Sequence, residues 1–232
     1  DALAALKALV FDAPAVTAAE LMDALRANFD GHEALRQKLI QQAPKYGNDV
    51  QWVDELGERW VHHFADRLTE FTNARGGAYH MGLYTVSAHV PMGKNVGATP
   101  DGRKSREPLA DGGMSAVYGR DMSGPTALLQ SVSRVSSRYA SNGTLLNMKF
   151  LPRTFRNAEE RGKFVALLRA FVHMGIHHVQ FNVVDHRTLM AAKEHPEEYA
   201  NLTIRVAGYT AYFVELAPDL QDEIISRTAY GV

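Results

Sequence analysis

The stretch Thr203-Ile-Arg-Val-Ala-Gly208-Tyr-Thr-Ala-Tyr-Phe213 decides how the rest of the chain is interpreted. Its first half has the β-branched composition of a strand, which leads to Gly208 and is followed by a second apolar stretch. Glycine often ends a strand because it can adopt the left-handed backbone of a tight turn. By itself, the five-residue segment 205–209 therefore favours a strand-ending turn.

The composition argues against several classes of function. The 232 residues are 46% apolar, which suffices for one large domain or a substantial part of a larger one. The net charge is −1 without blocks of like charge, so neither nucleic acid nor a membrane is an expected partner. No apolar run reaches the roughly 18 residues that span a bilayer, and the chain opens without a secretory signal. We therefore expect a cytoplasmic protein.

Conventional catalytic groups do not identify an activity. The chain contains no cysteine, which excludes disulfides, thiolate metal sites, iron–sulfur clusters and a thiol nucleophile within it. Adjacent histidines point in different directions and chelate poorly, and isolated acids do not form an acid/base pair. We predict no metal site. The residues considered are His62-His63, His177-His178, Asp185 and Glu215.

Hydrophobic periodicity predicts a mixed α/β fold. Thr17-Ala-Ala-Glu20 forms a capping box at the start of a helix. An apolar stripe from Trp52 to Phe71 predicts a long helix over 48–75, which Gly76-Gly77 would end. Further helices are predicted over 126–140, 157–174, 188–195 and 216–227, and strands over 78–90, 144–150, 178–184 and 201–207.

Residues 91–125 are rich in glycine and proline, which predicts a long ordered loop of the kind that usually has a function. Within it, the segment 97–105 approaches the sequence of a nucleotide-binding P-loop. Its lysine falls one position late, Pro100 removes a backbone donor and Asp101 would repel a phosphate. Nucleotide binding is therefore not expected.

The motif Arg-Val-Ala-Gly-Tyr at 205–209 resembles the Arg-Val-x-Gly-Tyr/Phe motif of the glycyl radical enzymes. The resemblance extends to several other blocks in the same order, over roughly residues 46–228. These blocks are Gly97-Ala-Thr-Pro-Asp-Gly-Arg103, Pro108-Leu-Ala-Asp-Gly112, Gly124-Pro-Thr126, Asn142-Gly-Thr-Leu-Leu-Asn147, Gln180-Phe-Asn182 and Asp222-Glu-Ile-Ile-Ser-Arg-Thr228.

The resemblance implies an α/β fold that forms the C-terminal part of a ten-stranded α/β barrel, with the radical glycine on a loop that enters the barrel. Residues 1–105 would form the C-terminal portion of a pyruvate formate-lyase-like barrel domain, and residues 106–232 the glycine radical domain. Gly208 would be the catalytic glycine. The other residues of its radical loop would be Arg205, Val206, Ala207 and Tyr209.

Radical chemistry explains why this position needs glycine. Removal of one hydrogen from a glycine α-carbon leaves a radical between an amide nitrogen and a carbonyl, and both delocalise the spin once the centre is planar. A side chain would clash in that planar geometry and would offer competing hydrogens. Burial of the loop would protect the radical from water and oxygen.

The resemblance also implies partners. In the family, an activating enzyme that uses S-adenosylmethionine and an iron–sulfur cluster installs the glycyl radical, which then passes to a cysteine thiyl that attacks the substrate. Because this chain lacks cysteine and binds no cofactor itself, we expect an N-terminal part of the same polypeptide to carry the cysteine. An alternative is a spare radical-domain subunit that restores a damaged partner. The family is often dimeric, so a homodimer is expected.

The substrate is a small molecule whose identity the sequence leaves open. The motifs look closer to the lyase/dehydratase branch, which includes diol dehydratase, choline trimethylamine-lyase and sulfonate lyases. Arylacetate decarboxylases and fumarate-adding synthases are the alternatives.

Alternation along the strand predicted over 78–90 places His80 and Tyr84 on one face. The resemblance makes this face line the barrel, so both residues are candidate substrate contacts, although ordinary core positions explain them as well. Asn147 and Lys149 share a face of a later strand, where barrel packing and surface charge are the expected roles.

Overall fold

The N-terminal third of the computed structural model, which describes residues 1–230, is helical. The predicted capping box is confirmed, since the Thr17 side chain accepts from Glu20 N and the Glu20 carboxylate accepts from Thr17 N. An irregular π-helical segment, Lys7–Asp12, extends the first helix. The helices of this region are α1 (Ala2–Leu6), α2 (Ala18–Arg26), α3 (Glu33–Gln42), α4 (Gln51–Leu68) and α5 (His89–Gly93).

Helix α4 is shorter than predicted, because it ends at Leu68 rather than near Arg75. The glycine pair does not end it. Instead, Thr69 Oγ1 donates to the carbonyl of Asp66 and the chain leaves the helix there. Part of the apolar stripe is exposed rather than buried, including Trp60 at 60% and Phe71 at 57%.

The strand predicted over 78–90 is wrong. The segment forms only isolated bridges, of Thr72 with Ala78 and of Leu83 with Thr144, and its last residues begin helix α5. A turn interrupts it, since Ala88 N donates to Thr85 O, and Val86 between them has a φ of +54°. A backbone in the left-handed region cannot continue an extended strand.

The long loop is confirmed: residues 94–124, all of which the structure describes, contain neither helix nor strand. The guanidinium of Arg103 organises the part that approaches a P-loop sequence. It is buried, and its two terminal nitrogens donate to four backbone carbonyls of its own loop. These acceptors are the carbonyls of Val96, Gly97, Lys104 and Glu107.

The rest of the described chain contains the predicted helices and strands, most of them shorter than predicted, together with two short strands that were not predicted, Thr210–Tyr212 and Ala229–Tyr230. Three strands form a parallel sheet in the order β2-β1-β5, with Asn147 opposite Gln180 and Lys149 opposite Asn182. Strands β3 and β4 form a separate antiparallel hairpin. The elements are α6 (Pro125–Arg134), β1 (Asn147–Phe150), α7 (Ala158–His173), β2 (Gln180–Val183), α8 (His186–Glu194), β3 (Thr203–Arg205), β4 (Thr210–Tyr212), α9 (Pro218–Ser226) and β5 (Ala229–Tyr230).

Three apolar clusters hold these elements together. One packs α6 and α7 on the parallel sheet, and another unites the N-terminal helices. The third surrounds the β3–β4 hairpin, with Ile204, Val206 and Phe213 packed on side chains of α8 and α9. Val90 of α5 belongs to this third cluster, so the hairpin is packed against the N-terminal region as well.

Candidate functional site

Gly208 lies at the tip of the β3–β4 hairpin. Residues 206–209 connect the two strands, and Val206 N donates to Tyr209 O at 2.9 Å to close the turn. Gly208 has a φ of +86°, a conformation that side chains disfavour. Val206 and Ala207 are buried, whereas Gly208 itself is exposed. The predicted turn is therefore present, and its glycine α-carbon is open to approach from outside this chain.

Side chains of strand β2 fix the backbone of the hairpin. Asn182 Nδ2 donates to Arg205 O at 2.7 Å, and Arg205 N donates to Asn182 Oδ1 at 2.9 Å. The Asn182 side chain thereby makes the two hydrogen bonds to Arg205 that the backbone of a neighbouring strand would otherwise make. Gln180 Oε1 accepts from Gly208 N at 3.0 Å and from Arg205 Nη2 at 3.2 Å. An amide side chain therefore binds the peptide group of Gly208 directly.

The carbonyl of Val206 is held from a second direction. Arg227 Nη1 donates to it at 2.9 Å and Asn147 Nδ2 at 3.3 Å. Because the tip is bound through both N–H and C=O groups, four side chains from β1, β2 and the end of α9 determine its conformation. These side chains are Asn147, Gln180, Asn182 and Arg227.

A buried cluster of charges lies beneath the hairpin. Arg227 Nε and Nη2 donate to the two carboxylate oxygens of Glu223 at 3.0 and 2.9 Å, and Arg227 Nε lies 3.5 Å from Asp111 Oδ2. His89 Nε2 lies 3.1 Å from Glu223 Oε2. All four side chains are at most 5% exposed, so their charges depend on one another rather than on water.

The two buried carboxylates differ in their affinity for protons. Burial disfavours the charged form of Glu223, but the contacts with His89 and Arg227 outweigh this effect and lower its pKa. Burial raises the pKa of Asp111, and the attraction of Arg227 offsets this only in part. Burial disfavours the charged form of Arg227, but the negative charges of Asp111 and Glu223 outweigh this effect and raise its pKa.

The burial of Lys149 differs from what the sequence predicted. This lysine was predicted to contribute surface charge, but it is only 3% exposed and points inward from β1 because this face of the sheet is covered by α9. Its Nζ donates to Ile224 O and Ile225 O, which are carbonyls at the C-terminal end of that helix. Burial and the nearby Arg227 lower the pKa of Lys149 to about 8.

The predicted loop residues are brought together, but the two candidate substrate contacts lie elsewhere. Arg205, Val206, Ala207, Gly208 and Tyr209 form the hairpin tip and its approach. Both His80 and Tyr84 are exposed, and they contact residues of the segment 141–142. The contacts are His80 Nδ1 to Ser141 Oγ at 2.9 Å and Asn142 Nδ2 to Tyr84 OH at 2.9 Å.

Only one residue, Leu145, separates the hairpin tip from the segment that carries Tyr84. A Cβ on Gly208 would lie 3.5 Å from Leu145 Cδ1, and Leu145 N donates to Leu83 O, the residue before Tyr84. The segment 83–84 therefore lies beside the residue that packs on the glycine. Two clefts in the described part of the chain have volumes of about 670 and 470 Å³, and neither is lined by residues 203–212.

Sequence reasoning missed the charge cluster. Glu223 and Arg227 are four residues apart, a spacing that signals a helical ion pair, but nothing local connects them to Asp111 or His89. Among residues 1–230, no group of three or more histidine or acidic side chains is arranged to hold a metal ion. None of the helices within this range is long and apolar enough to span a bilayer.

Two family models match the chain. The model described as "Glycine radical" matches residues 110–214, which contain the hairpin, and that described as "Pyruvate formate lyase-like" matches residues 1–93. Between the two matches lie residues 94–109, the first half of the long loop.

Curated relatives and solved structures are similar over the whole chain. A probable dehydratase, YbiW, of Escherichia coli strain K12 is 45% identical over 99% of the chain. The isethionate sulfite-lyase of Nitratidesulfovibrio vulgaris strain Hildenborough is 40% identical over all of it. The structure of a glycerol-bound, B12-independent glycerol dehydratase from Clostridium butyricum is 42% identical, covers 100% of the chain and superposes with a TM-score of 0.95.

The chain spans only part of these proteins: 29% of the E. coli protein, 28% of the sulfite-lyase and 29% of the glycerol dehydratase chain. The part that it matches is their C-terminal part, which confirms the predicted fold class. From the two family models and these relatives, it follows that the chain belongs to the glycyl radical enzyme family.

Proposed function

We propose that this chain is the radical-storing part of a glycyl radical lyase, and that Gly208 holds the unpaired electron on its α-carbon. The observation that carries the proposal is the hairpin tip, where an exposed glycine has a φ of +86°, its N–H is bound by Gln180, and the carbonyl of Val206, two residues earlier, is bound by Arg227. Such a tip presents an α-carbon while holding the peptide group before it in place. Its flanking residues Arg205, Val206, Ala207 and Tyr209 complete the radical loop.

The chemistry that follows is an exchange of one hydrogen atom. The Gly208 radical takes a hydrogen atom from a cysteine thiol, which restores the glycine and leaves a thiyl radical. The thiyl takes a hydrogen atom from the substrate, and the substrate radical expels its leaving group. The product radical then takes a hydrogen atom back from the thiol, and the thiyl takes one from Gly208, which restores the glycyl radical. Because this chain has no cysteine, the thiol belongs to polypeptide outside it. The exposed side of Gly208 is where that thiol would approach.

The same exposed side serves activation. A radical S-adenosylmethionine enzyme must reach the Gly208 α-hydrogen to remove it, and the tip projects this atom away from the packed core. We assign residues 106–232 to the glycine radical domain and residues 1–105 to the C-terminal portion of the barrel domain. This boundary falls in the long loop between α5 and α6.

The remaining polypeptide would be an N-terminal part of the same enzyme, which is consistent with relatives more than three times as long. The competing arrangement is a separate subunit that docks on a damaged partner. The intact mass of the native protein distinguishes them, because a spare subunit has the mass of this chain and a complete enzyme a far larger one. A cytoplasmic homodimer is the expected setting.

Elimination from a small substrate is the proposed reaction, since a dehydratase and a sulfite-lyase are both similar over the chain's full length. His80 and Tyr84 are the proposed substrate contacts from this chain, because both side chains are exposed. In addition, Leu83, the residue before Tyr84, accepts a hydrogen bond from Leu145 N. Arylacetate decarboxylation and addition to fumarate are the alternatives. Turnover assays with diols, sulfonates and arylacetates separate these reactions.

Electron paramagnetic resonance of the activated enzyme tests the proposal. A radical on a glycine α-carbon carries one α-hydrogen, which splits the signal into a doublet. Enzyme produced with α-deuterated glycine should therefore show the doublet collapse to a narrower unresolved line. A doublet that survives this labelling places the radical on another residue type and rejects the assignment.

A further inference from the structure

The amide of Gln180 connects the Gly208 peptide to a buried carboxylate. Its Oε1 accepts from Gly208 N at 3.0 Å, and its Nε2 donates to Asn147 Oδ1. Asn147 Nδ2 donates in turn to Asp111 Oδ2 at 2.5 Å. Gln180 is 6% exposed and Asp111 is 3% exposed, so water does not compete for these bonds. One chain of hydrogen bonds therefore runs from the carboxylate to the glycine.

The groups around this series of hydrogen bonds determine the direction of each bond. One end of the Asn147 amide faces two acceptors, Asp111 Oδ2 and the carbonyl of Val206, so Asn147 presents its NH₂ group there. The oxygen of Asn147 then faces Gln180 and requires the NH₂ end of that amide as well. The oxygen of Gln180 is left for the hairpin, where the Gly208 N–H and the Arg205 guanidinium both donate to it. Neither amide can rotate without placing like groups together.

From this arrangement we propose that Gln180 is a positioning residue for the radical: its Oε1 holds the Gly208 N–H and thereby fixes the peptide plane that must be coplanar with the spin-bearing carbon. The inference rests on the proposed role of Gly208. It adds a specific acceptor, set by Asp111 through Asn147, to a loop whose sequence motif does not contain Gln180.

The physical effect on the radical is twofold. The amide nitrogen stabilises an adjacent carbon radical by donating its lone pair, which requires that the nitrogen orbital and the half-filled orbital be parallel. A hydrogen bond from the N–H to a fixed oxygen maintains that orientation. It also increases the electron density on nitrogen and so strengthens the donation. Loss of the acceptor should therefore change both the spectrum and the lifetime of the radical.

A purely structural role for Gln180 predicts something different. If the side chain only filled space beneath the hairpin, an apolar residue of similar length would leave the Gly208 N–H and the radical unchanged. Gln221 provides a matched control, because it is also a buried glutamine and donates to a hairpin-proximal carbonyl, Phe213 O, at 2.9 Å. Removal of Gln221 perturbs the same apolar cluster without touching the glycine.

The first measurement is hydrogen exchange of the Gly208 amide in the complete enzyme before activation, resolved to single residues by fragmentation mass spectrometry. Wild type should show a protected amide although the residue is exposed. In Gln180→Met, exchange at Gly208 should be about five times faster, the factor for one net hydrogen bond of about 1 kcal/mol. Gln221→Met should leave it unchanged.

The second measurement is electron–nuclear double resonance of the activated enzyme in H₂O and D₂O. Gln180→Met should alter the coupling to the exchangeable N–H proton and shorten the lifetime of the radical, whereas Gln221→Met should not. An unprotected Gly208 amide in wild type overturns the inference even if Gln180→Met does not fold. Identical exchange and spectra in wild type and Gln180→Met overturn it as well. A missing glycyl doublet in wild type instead rejects the proposed function and leaves the exchange result standing.

Discussion

His89 Nε2 lies 3.1 Å from Glu223 Oε2, and neither side chain has any exposed surface. The contact joins α5, in the region that matches the pyruvate formate lyase-like model, to α9 beneath the β3–β4 hairpin. Glu223 also accepts hydrogen bonds from Nε and Nη2 of Arg227. One carboxylate therefore stabilises the packing of two regions and the arginine that holds Val206 O.

Glu223→Gln should destabilise the fold strongly. The change leaves Arg227 buried with only Asp111, 3.5 Å away, to balance its charge. Removal of one partner from a buried pair is expected to lower the free energy of unfolding by about 3 kcal/mol. Urea denaturation of the purified variant measures it.

Asp219→Asn on the same helix is the control. Asp219 pairs with Lys94 across the same two elements, but both side chains are about half exposed, so water and salt screen the pair. Its unfolding midpoint should stay close to that of wild type. Equal shifts for the two variants would show that burial of the Glu223 network contributes nothing.

Stability should rise with pH between pH 8 and about 10 because of Lys149. Its folded pKa is about 8, below the unfolded value, because burial and Arg227 disfavour the charge. Below pH 8 both states carry the proton. Above it the unfolded chain binds more protons than the folded one, so the free energy of unfolding increases, by at most about 1.4 kcal/mol per pH unit.

Lys149→Met should reduce that increase without abolishing it, because burial also lowers the pKa of Lys45 to about 8. Lys163→Met, on an exposed site of α7, should keep the full increase. Denaturation curves at several pH values give the slopes directly. An unchanged slope in Lys149→Met would mean that its ammonium is as well solvated in the folded state as in the unfolded chain.

Gly208→Ala should fold but lose the radical. A Cβ at this position meets only Leu145 Cδ1 at 3.5 Å, an ordinary contact, so the cost arises from the φ of +86° and amounts to about 1–2 kcal/mol. After activation, electron paramagnetic resonance should detect no doublet. Gly175→Ala, at a φ of +68° after α7, imposes similar strain and should keep the doublet. A persistent doublet in Gly208→Ala would reject the assignment.

The sequence predicted those features that depend on neighbours along the chain. Helix α7 lies within one residue of its predicted bounds, because its start at Asn157 and its apolar stripe are both local signals. The turn at Gly208 was predicted for the same reason, since the requirement for glycine is local. In the segment 78–90, by contrast, strand-forming residue types occur where the backbone turns at Val86, and no propensity reveals that turn.

Residues that act through distant partners could not be predicted in this way. Gln180 and Asn182 belong to a block that resembles the family, but their bonds to Gly208 and Arg205 exist only because β2 lies beside the hairpin. Surface charge was the expected role of Lys149, and only the position of α9 shows that its face of the strand is covered. Tertiary packing, not composition, gives these side chains their roles.

Oxygen should cut the activated enzyme at the hairpin tip. Molecular oxygen adds to a carbon radical to give a peroxyl, whose breakdown cleaves the backbone at that carbon. Because Gly208 is exposed in this chain, only polypeptide outside it can shield the radical, and air admitted after activation should reach it. Mass spectrometry should then find a C-terminal peptide that begins near Tyr209, together with the complementary chain truncated at Gly208. Gly208→Ala and unactivated enzyme, exposed to air in parallel, should both remain intact. If a radical is confirmed and the backbone stays whole, or breaks elsewhere, Gly208 is not the carbon that carries it.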